Sequence, residues 1–589
     1  MRLLIENNNL VQSLNLGLSS DFFKTSNPLV HNDEILSCWS DNKALEKDYK
    51  IMNDYHKFSL KVIFNIMNSR NDIDESFEYC RMVTAPWSLT FTMIILEKYQ
   101  TIYSAIGDDS ISLEKEITEF DFILQKCGDI FRYSQSDKFN KSIIIDILIS
   151  IQKFRLKKTH NILKCSIVDE ILFEPPQLKP SKAVKRIFFV KLIDYFLHKL
   201  KLVVEFFMNT RTKKNKVTLF LLPEISLIDI IKIYFKQKTS FKIMHSIKVP
   251  NLNSSNSSRK VSTDSLVVTK DEFSFVLQEL ISKKIPQEFI EDFNDYQKCA
   301  NAFLNGELHK VIVRSPTDTN PVTRHILALS NKSNIDIVGL QHGGGYNNYE
   351  NHPLDQLENE LSDYYLVWGD ISLNNSRKVG YTRTASSSLY HKNYYHNNGP
   401  ILIISPPLRR FYAGDFSHAI SFTPNFMQNM QQFLEYLEPS IYSKIVYRRG
   451  WDFGINEDDW IQSISSEITI SSRESISHAY QEVAKSSIVI CTYNSTMWLE
   501  LSSINHPFIL FIDPRYDLKT SLNEEIFSMM EKNNLLFYEP LEAANHIMSC
   551  FNNPREWWNS SNVQSVRVKI NDAFCSPFDS SELANILNT

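Results

Sequence analysis

Short apolar runs that alternate with helix-length segments are the feature that most constrains the fold of this chain. Four such runs precede residue 370, at 217–222, 311–313, 335–340 and 364–368. Four more follow residue 400, at 401–404, 444–447, 488–491 and 507–511. Apolar runs separated by helical stretches have the βαβ rhythm of a parallel sheet. The sequence therefore predicts an α/β fold with two doubly wound, Rossmann-like sheets, which would face each other across a cleft.

A polar stretch without sustained periodicity separates the two series and predicts the domain boundary. The expected domains are 1–370, a linker at 371–400, and 401–589. Apolar residues recur at three- and four-residue spacings over 44–67 and 86–106, which predicts a helical elaboration of the first domain. An early strand is expected at 13–18, and the Ser-rich stretch 251–263 is expected to be an exposed loop.

Composition excludes several classes of protein. With 63 Lys and Arg against 68 Asp and Glu, the net charge is -5, so nucleic acid is not an expected partner. The 8 cysteines include no C-x-x-C pair, which argues against a disulfide scaffold or a structural zinc site and favours a reducing cytoplasm. No signal peptide is recognisable, and no apolar run is long enough to span a membrane. The expected location is the cytoplasm.

One basic segment leaves two interpretations open. Residues 179–216 carry eleven Lys and Arg but only two acids, Asp194 and Glu205. An amphipathic helix with this charge would rest on the inner membrane as a peripheral contact. A core-facing helix whose lysines reach toward solvent explains the same pattern.

The loop that follows the run 335–340 is the first candidate site. The chain has only 14 glycines, yet Gly339 and the consecutive Gly343, Gly344 and Gly345 lie within seven residues. Such clustering predicts unusual backbone angles or a close ligand approach. Backbone amides there could bind an anion, flanked by Gln341 and Tyr346, or the loop could be only a tight turn.

Titratable side chains near this loop are candidates for catalysis. His342 could give a proton or a hydrogen bond to a phosphate or a sugar carboxylate. Glu358 or Asp355 could be the general base toward an acceptor hydroxyl, provided that burial raises its pKa.

A second candidate site is the polar elbow between the run 488–491 and the next helix. Asn494, Ser495 and Thr496 lie where hydroxyls and free backbone amides would bind a phosphate, and Glu500, one helical turn on, could bind a ribose diol. The alternative is that the elbow only caps the helix.

A third candidate site follows the run 444–447. Arg448, Arg449 and Asp452 could contact a phosphate or a carboxylate there, or form a surface turn. Ser405, in the stretch Ser-Pro-Pro-Leu-Arg-Arg after the run 401–404, is the expected neighbour across the sheet.

Together these motifs resemble a known family. LQHGGGY, LSDYYLVWGD, CTYNSTMWLE and PREWW, with KALEKDY nearer the start, resemble the leptospiral-type family of bacterial surface-carbohydrate transferases, which is similar to pseudaminic-acid transferases. The resemblance implies a GT-B fold, with acceptor in the first half and nucleotide sugar in the second. It also implies that Asn494, Ser495 and Thr496 bind the phosphate of CMP, that Glu500 binds its ribose, and that His342 and Glu358 lie in the cleft. Gly450 departs from the family, which has a proline near that position.

The resemblance thus implies a glycosyltransferase that moves a pseudaminic-acid-like or Kdo-like nonulosonic sugar from a CMP-activated donor to a surface glycan. Its expected partners are the nucleotide sugar donor and a glycan or lipid-linked acceptor. No metal and no cofactor besides the CMP-sugar co-substrate is expected. The alternatives are a CDP-alcohol phosphotransferase, a sugar-nucleotide epimerase, and a non-catalytic subunit that binds nucleotide or glycan.

Overall fold

A computed structural model describes most of the chain. It covers residues 2–7, 10–15, 38–69, 73–113, 122, 124–155, 162–168, 217–221, 225, 227–236, 240–244, 247, 249–250, 267–269, 271–304, 308–346, 352–370, 373–382, 398–414, 418–419, 421–471, 476–517, 520–521 and 523–589. The basic segment 179–216 and the Ser-rich stretch 251–263 lie outside these residues. Among the helices described, none combines the length and apolar character needed to cross a bilayer.

The strands are β1 (Arg2–Asn7), β2 (Leu10–Asn15), β3 (Ser110–Leu113), β4 (Ile162–Val168), β5 (Val217–Leu221), β6 (Ser240–Met244), β7 (Leu308–Val313), β8 (Asp336–Leu340), β9 (Tyr364–Val367), β10 (Ser376–Lys378), β11 (Ile401–Ile404), β12 (Ile445–Arg448), β13 (Thr469–Ser471), β14 (Ile488–Cys491), β15 (Phe508–Phe511) and β16 (Leu536–Phe537). The first half has the helices α1 (Asn42–Asn68), α2 (Phe77–Ile106), α3 (Asp129–Tyr133), α4 (Asp137–Arg155), α5 (Leu227–Lys236), α6 (Glu272–Lys284), α7 (Phe293–Asn301), α8 (Pro321–Lys332) and α9 (Pro353–Glu360). The second half has α10 (Phe422–Glu435), α11 (Glu457–Ile464), α12 (Ile476–Lys485), α13 (Thr496–Ser503), α14 (Glu524–Lys532), α15 (Pro540–Cys550), α16 (Pro554–Trp558), α17 (Ser561–Phe574) and α18 (Ser580–Asn588).

Six parallel strands form the first large sheet, in the order β10-β9-β8-β7-β5-β6. Successive side chains of a strand enter different cores: Leu219 and Leu221 pack in the main core, and Phe220 packs on the opposite face. Burial on both faces explains why these strands read as continuous apolar runs.

The second large sheet is also parallel, in the order β13-β12-β11-β14-β15-β16. Counted from β11, this is the Rossmann order 3-2-1-4-5-6, whose switch point lies between β11 and β14. Ligands of such sheets bind at the carboxyl ends of the strands beside the switch point. The two-sheet GT-B fold that the sequence predicts is thereby confirmed.

The helical region before the first large sheet joins both domains. Its helices belong to one core cluster that also contains Val311 of the first large sheet and Ile403 of the second. Asn42, at the start of α1, donates its backbone N–H to the carbonyl of Arg515 over 3.0 Å and accepts from the N–H of Ala419 over 3.1 Å. The helical elaboration therefore braces the second domain against the first.

A smaller four-stranded sheet, ordered β2-β1-β4-β3, lies in the same region. The strand expected at 13–18 is found as β2, displaced toward the N-terminus, and its three partner strands were not predicted.

The chain does not divide between the domains at one point. Strand β10 pairs with β9, so the first large sheet extends into the expected linker 371–400. Helix α18 returns to the first domain, where Leu583 and Leu587 pack with Phe220 and Ile230. The expected boundary of 401–589 for the second domain is corrected accordingly, because its last helix completes the core of the first.

Candidate active site

A cavity of about 290 Å³ lies between the two large sheets. One wall is the loop His342–Tyr346 after β8, and the other is made by the loops after β11 and β14 together with the start of α10. The residues that line it are His342, Gly343, Gly344, Gly345, Tyr346, Pro406, Pro407, Arg409, Phe411, His418, Ala419, Phe422, Thr423, Tyr493, Asn494, Ser495 and Thr496. The two loops that the sequence singles out thus face one cavity, which adjoins the switch point of the second large sheet.

The glycine loop touches the elbow of the second domain directly. The N–H of Gly344 donates to the Thr496 hydroxyl over 2.9 Å. A Cβ at Gly344 would lie 2.8 Å from both the Ser495 carbonyl oxygen and the Thr496 Cα. Gly343, Gly344 and Gly345 all have negative φ, so close approach of the domains, not backbone strain, explains Gly344. The amide of Gly344 is bonded to Thr496, so of the three glycine amides expected to bind an anion this one is not available.

Gly344→Ala is expected to lower the melting temperature, because the new methyl group must displace backbone atoms of the facing domain. Overpacking of this kind costs about 1–3 kcal/mol. Gly343→Ala is the matched control, since its Cβ would lie 3.6 Å from the nearest atom, the Thr496 hydroxyl. Calorimetry of both variants checks the contact, and equal melting temperatures would contradict it.

His342 belongs to a hydrogen-bonded chain that runs from the cavity into the core. Its Nδ1 lies 2.8 Å from the Tyr346 hydroxyl, which donates to Glu358 Oε2 over 2.5 Å. The His342 side chain is 28% exposed, whereas that of Glu358 is 0% exposed. The imidazole therefore presents one edge to the cavity and the other to a buried acid.

Three predicted residues beside the loop do not reach the cavity. The buried Gln341 braces the loop: its amide donates to the Gly343 carbonyl and accepts from the Trp368 N–H. Asp355 is buried near His352, 3.5 Å from Nδ1. Glu358 is fully buried and cannot contact an acceptor hydroxyl, so the expectation that Glu358 is the general base is corrected.

The elbow divides its polar groups between the protein and the cavity. Asn494 accepts from the Trp498 indole N–H over 3.0 Å, and Thr496 accepts from Gly344. Ser495 is the N-cap residue of α13, yet its hydroxyl makes no capping hydrogen bond. Of the three elbow side chains, that of Ser495 is therefore the best placed to bind a ligand.

Glu500 is buried away from this cavity. Its Oε1 accepts from the hydroxyls of Tyr381, over 2.6 Å, and Tyr480, over 2.9 Å. The expected ribose contact is corrected, because Glu500 lies outside the cavity lining and both tyrosines bind its Oε1.

The third predicted group also lies outside the main cavity. Arg448 is buried in an ion pair with Glu482, and the Ser405 hydroxyl donates to Glu457 over 2.7 Å. Arg449 and Asp452 line a neighbouring, more open cavity of about 240 Å³.

Gly450 differs from the family pattern for a local reason. A Cβ there would lie 2.6 Å from the Pro407 Cα and 2.7 Å from the Pro406 carbonyl oxygen. Glycine lets this turn pack against the proline pair that lines the main cavity.

Several lining residues were missed by sequence reasoning. Arg409 lies in the stretch Ser-Pro-Pro-Leu-Arg-Arg after β11, of which only Ser405 is predicted from the sequence as a binding residue. His418 stacks on Phe422 with ring centroids 4.2 Å apart, and burial, assisted by the charge of Arg409, lowers the pKa of His418 to about 4. No sequence pattern marked this pair, because its place in the cavity depends on the tertiary fold.

Arg409 is the one cationic side chain in the described lining, which contains no carboxylate. Across the described residues, no group of three His, Cys, Asp or Glu side chains is arranged to bind a metal ion.

Solved structures similar to this chain show only weak likeness. A UDP-GlcNAc 2-epimerase from Neisseria meningitidis bound to UDP-GlcNAc aligns over 63% of this chain and 98% of its own, with 13% identity and a TM-score of 0.36. The wall teichoic acid polymerase TagF aligns over 68% of this chain and 97% of its own, with 12% identity and a TM-score of 0.32. At these values neither likeness bears on what the chain does. No curated protein matches the sequence.

A family model gives the decisive match. The model described as LIC12162 family transferase matches residues 22–584, which is nearly the whole chain. The expectation that the chain belongs to a transferase family is thereby confirmed. The chain belongs to the LIC12162 family of transferases.

Proposed function

We propose that this transferase moves an acidic nonulosonic sugar from a CMP-activated donor to a surface-glycan acceptor. The observation that carries the proposal is that His342 of the first domain and the elbow of the second line one cavity. The cavity between them would hold a substrate whose acceptor hydroxyl meets His342 and whose phosphate meets the start of α13.

The elbow is proposed to bind the donor phosphate. The first backbone amides of α13 are free of intrahelical partners, and the positive end of the helix dipole favours an anion there. The Ser495 hydroxyl adds a donor, and Arg409 adds the positive charge. A lining with one guanidinium and no carboxylate among its described residues suits a single phosphodiester, as in CMP-sugars, better than a diphosphate.

The aromatic wall is proposed to hold the flat or apolar parts of the donor. Phe411, Phe422 and Tyr493 line the cavity, and His418 stacks on Phe422. With its lowered pKa, His418 is neutral at physiological pH, so the wall adds stacking surface without charge.

The proposed reaction is a direct displacement at the anomeric carbon. The acceptor oxygen forms a bond to that carbon while its proton passes to His342. The bond between the anomeric carbon and the phosphate oxygen breaks, and CMP departs with the electron pair. Arg409 and the α13 amides stabilise the charge that develops on the phosphate.

Nucleotide binding tests the proposal directly. CMP at one hundred times its Kd is expected to stabilise the native state by about 2.7 kcal/mol, visible as a higher melting temperature. Arg409→Gln should weaken this effect, whereas Arg449→Gln, in the neighbouring cavity, should preserve it. Selective stabilisation by UDP or GDP would contradict the CMP assignment.

A turnover assay then separates the alternatives. Sugar transfer from a CMP-sugar with release of CMP supports the proposal. Release of CMP from a CDP-alcohol, with transfer of its phosphoalcohol group to the acceptor, indicates a phosphotransferase. Conversion of a nucleotide sugar without acceptor indicates an epimerase. Nucleotide binding without turnover across a donor panel indicates a non-catalytic subunit.

A further inference from the structure

The hydrogen bonds around Glu358 determine which nitrogen of His342 carries a proton. We infer that Tyr346 and Glu358 are positioning residues that hold neutral His342 with its proton on Nδ1, so that the lone pair of Nε2 faces the cavity. The use of that lone pair in catalysis rests on the proposed function, but the tautomer itself does not.

Glu358 is saturated with hydroxyl donors. Its Oε1 accepts from Ser315 over 2.9 Å and from Thr317 over 2.7 Å. Its Oε2 accepts from Tyr346 over 2.5 Å and from Tyr365 over 2.7 Å. An ionised carboxylate has about four acceptor positions and no proton to give, so all four hydroxyls must donate.

Tyr346 therefore has no second proton for His342. Burial and the adjacent Glu358 raise the pKa of Tyr346 well above its ordinary value, so the hydroxyl keeps its one proton. That proton is donated to Glu358, and the same oxygen lies 2.8 Å from His342 Nδ1. At this contact the tyrosine oxygen can only accept, so Nδ1 must carry the hydrogen.

The other nitrogen is left available. Neutral imidazole has one N–H, so a proton on Nδ1 leaves Nε2 as an acceptor. Within the described residues, the contacts of the ring with Tyr346 and Glu358 both involve Nδ1. Because His342 lines the cavity, this lone pair can accept the proton of a bound hydroxyl group.

The arrangement also favours the protonated state that the reaction creates. When a hydroxyl proton moves to Nε2, the imidazolium lies with Nδ1 3.6 Å from Glu358 Oε1. An anion at this distance in a buried setting stabilises the new positive charge. Serine hydrolases use a buried acid in the same way to orient and stabilise their histidine, although there the contact is direct and here a tyrosine mediates it.

Nitrogen-15 spectroscopy tests the tautomer without any substrate. The full chain is labelled with ¹⁵N-histidine and measured in the solid state above the pH at which imidazole protonates. The His342 signals are assigned by their loss in His342→Gln. In the wild type, Nδ1 is expected to show a bonded proton and Nε2 none, and in Tyr346→Phe the population with a proton on Nε2 is expected to rise severalfold.

Tyr365→Phe is the matched control. It also removes one donor to Glu358 Oε2 and a contact with Tyr346. The Tyr346 hydroxyl beside His342 Nδ1 stays in place, so the wild-type tautomer is expected to persist. A wild-type His342 with its proton on Nε2, or an equal response to both substitutions, would overturn the inference.

Kinetics separate this inference from the proposed function. If the proposed transfer occurs, Tyr346→Phe should lower kcat more than it changes KM, by about 10–100-fold, as the loss of the group that orients a metal-binding histidine does. Tyr365→Phe should lower kcat far less. If the expected tautomer is observed but His342→Ala is fully active, the positioning role of Tyr346 and Glu358 stands and the role of His342 as general base is rejected.

Discussion

His342→Ala is expected to lower kcat by about a thousandfold or more while leaving the melting temperature almost unchanged. General base catalysis contributes about 10²–10⁴-fold, and the His342 imidazole lines the cavity with its Nδ1 3.6 Å from the buried Glu358 Oε1. Stability should change little, because the side chain is partly exposed and Tyr346 keeps its hydrogen bond to Glu358. Steady-state kinetics with a CMP-sugar and calorimetry measure the two effects.

His418→Gln is the control for this prediction. His418 also lines the cavity, but its Nδ1 lies 2.9 Å from the Asn42 side-chain amide, where the Nδ1 of His342 has a tyrosine hydroxyl and a buried acid. Replacing His418 should mainly weaken donor binding and so raise KM. A loss of kcat in His418→Gln as large as that in His342→Ala would remove the special role of His342.

Glu358→Ala is expected to destabilise the fold by about 3–5 kcal/mol, as the loss of one partner in a buried charged network does. Four hydroxyls would lose their acceptor inside the core, and each buried group left without a partner costs about 1–3 kcal/mol. From the sequence alone, the same substitution would be expected to abolish activity without affecting stability. The two expectations differ because Glu358 lies beneath the cavity wall and not on it.

Glu360→Ala provides the comparison from the same helix. Its side chain is 60% exposed and its ion pair with Arg81 spans 3.7 Å, so its loss should change stability by less than about 0.5 kcal/mol. Denaturant unfolding of both variants gives the difference. An inactive Glu358→Ala protein with wild-type stability would restore Glu358 to a direct part in the chemistry.

The sequence was most informative about the centre of each large sheet. All eight apolar runs correspond to strands, four in each large sheet, and these strands fill the interior positions of the two sheets. The strands that were missed in these two large sheets, such as Ser376–Lys378 and Thr469–Ser471, lie at their edges. An edge strand has a neighbour on one side only and is short and often polar, so its sequence lacks the apolar run that marks a buried strand.

For the site, the sequence located the loops but did not reveal whether the nearby acidic side chains face the cavity or the protein interior. Both loops were recognisable because they follow buried strands. Glu358, Glu457 and Glu500 are nevertheless withdrawn into the protein, each bound by tyrosine hydroxyls, for example Tyr447 at Glu457. Most of these tyrosines come from other elements, so no local pattern distinguishes a buried acid from one that faces a substrate.

The return of α18 to the first domain has a consequence for synthesis of the chain. Leu583, Ala584 and Leu587 of α18 pack on one face of the first large sheet. They follow strand β9 of that sheet by more than two hundred residues in the chain. Ile230 and Ile233 of α5 pack on the same face, but the part of it under α18 lacks this cover until residue 588 has been synthesised. The second domain can therefore close its own sheet while the first is still incomplete, and a fragment that stops at residue 400 would expose an apolar surface and aggregate.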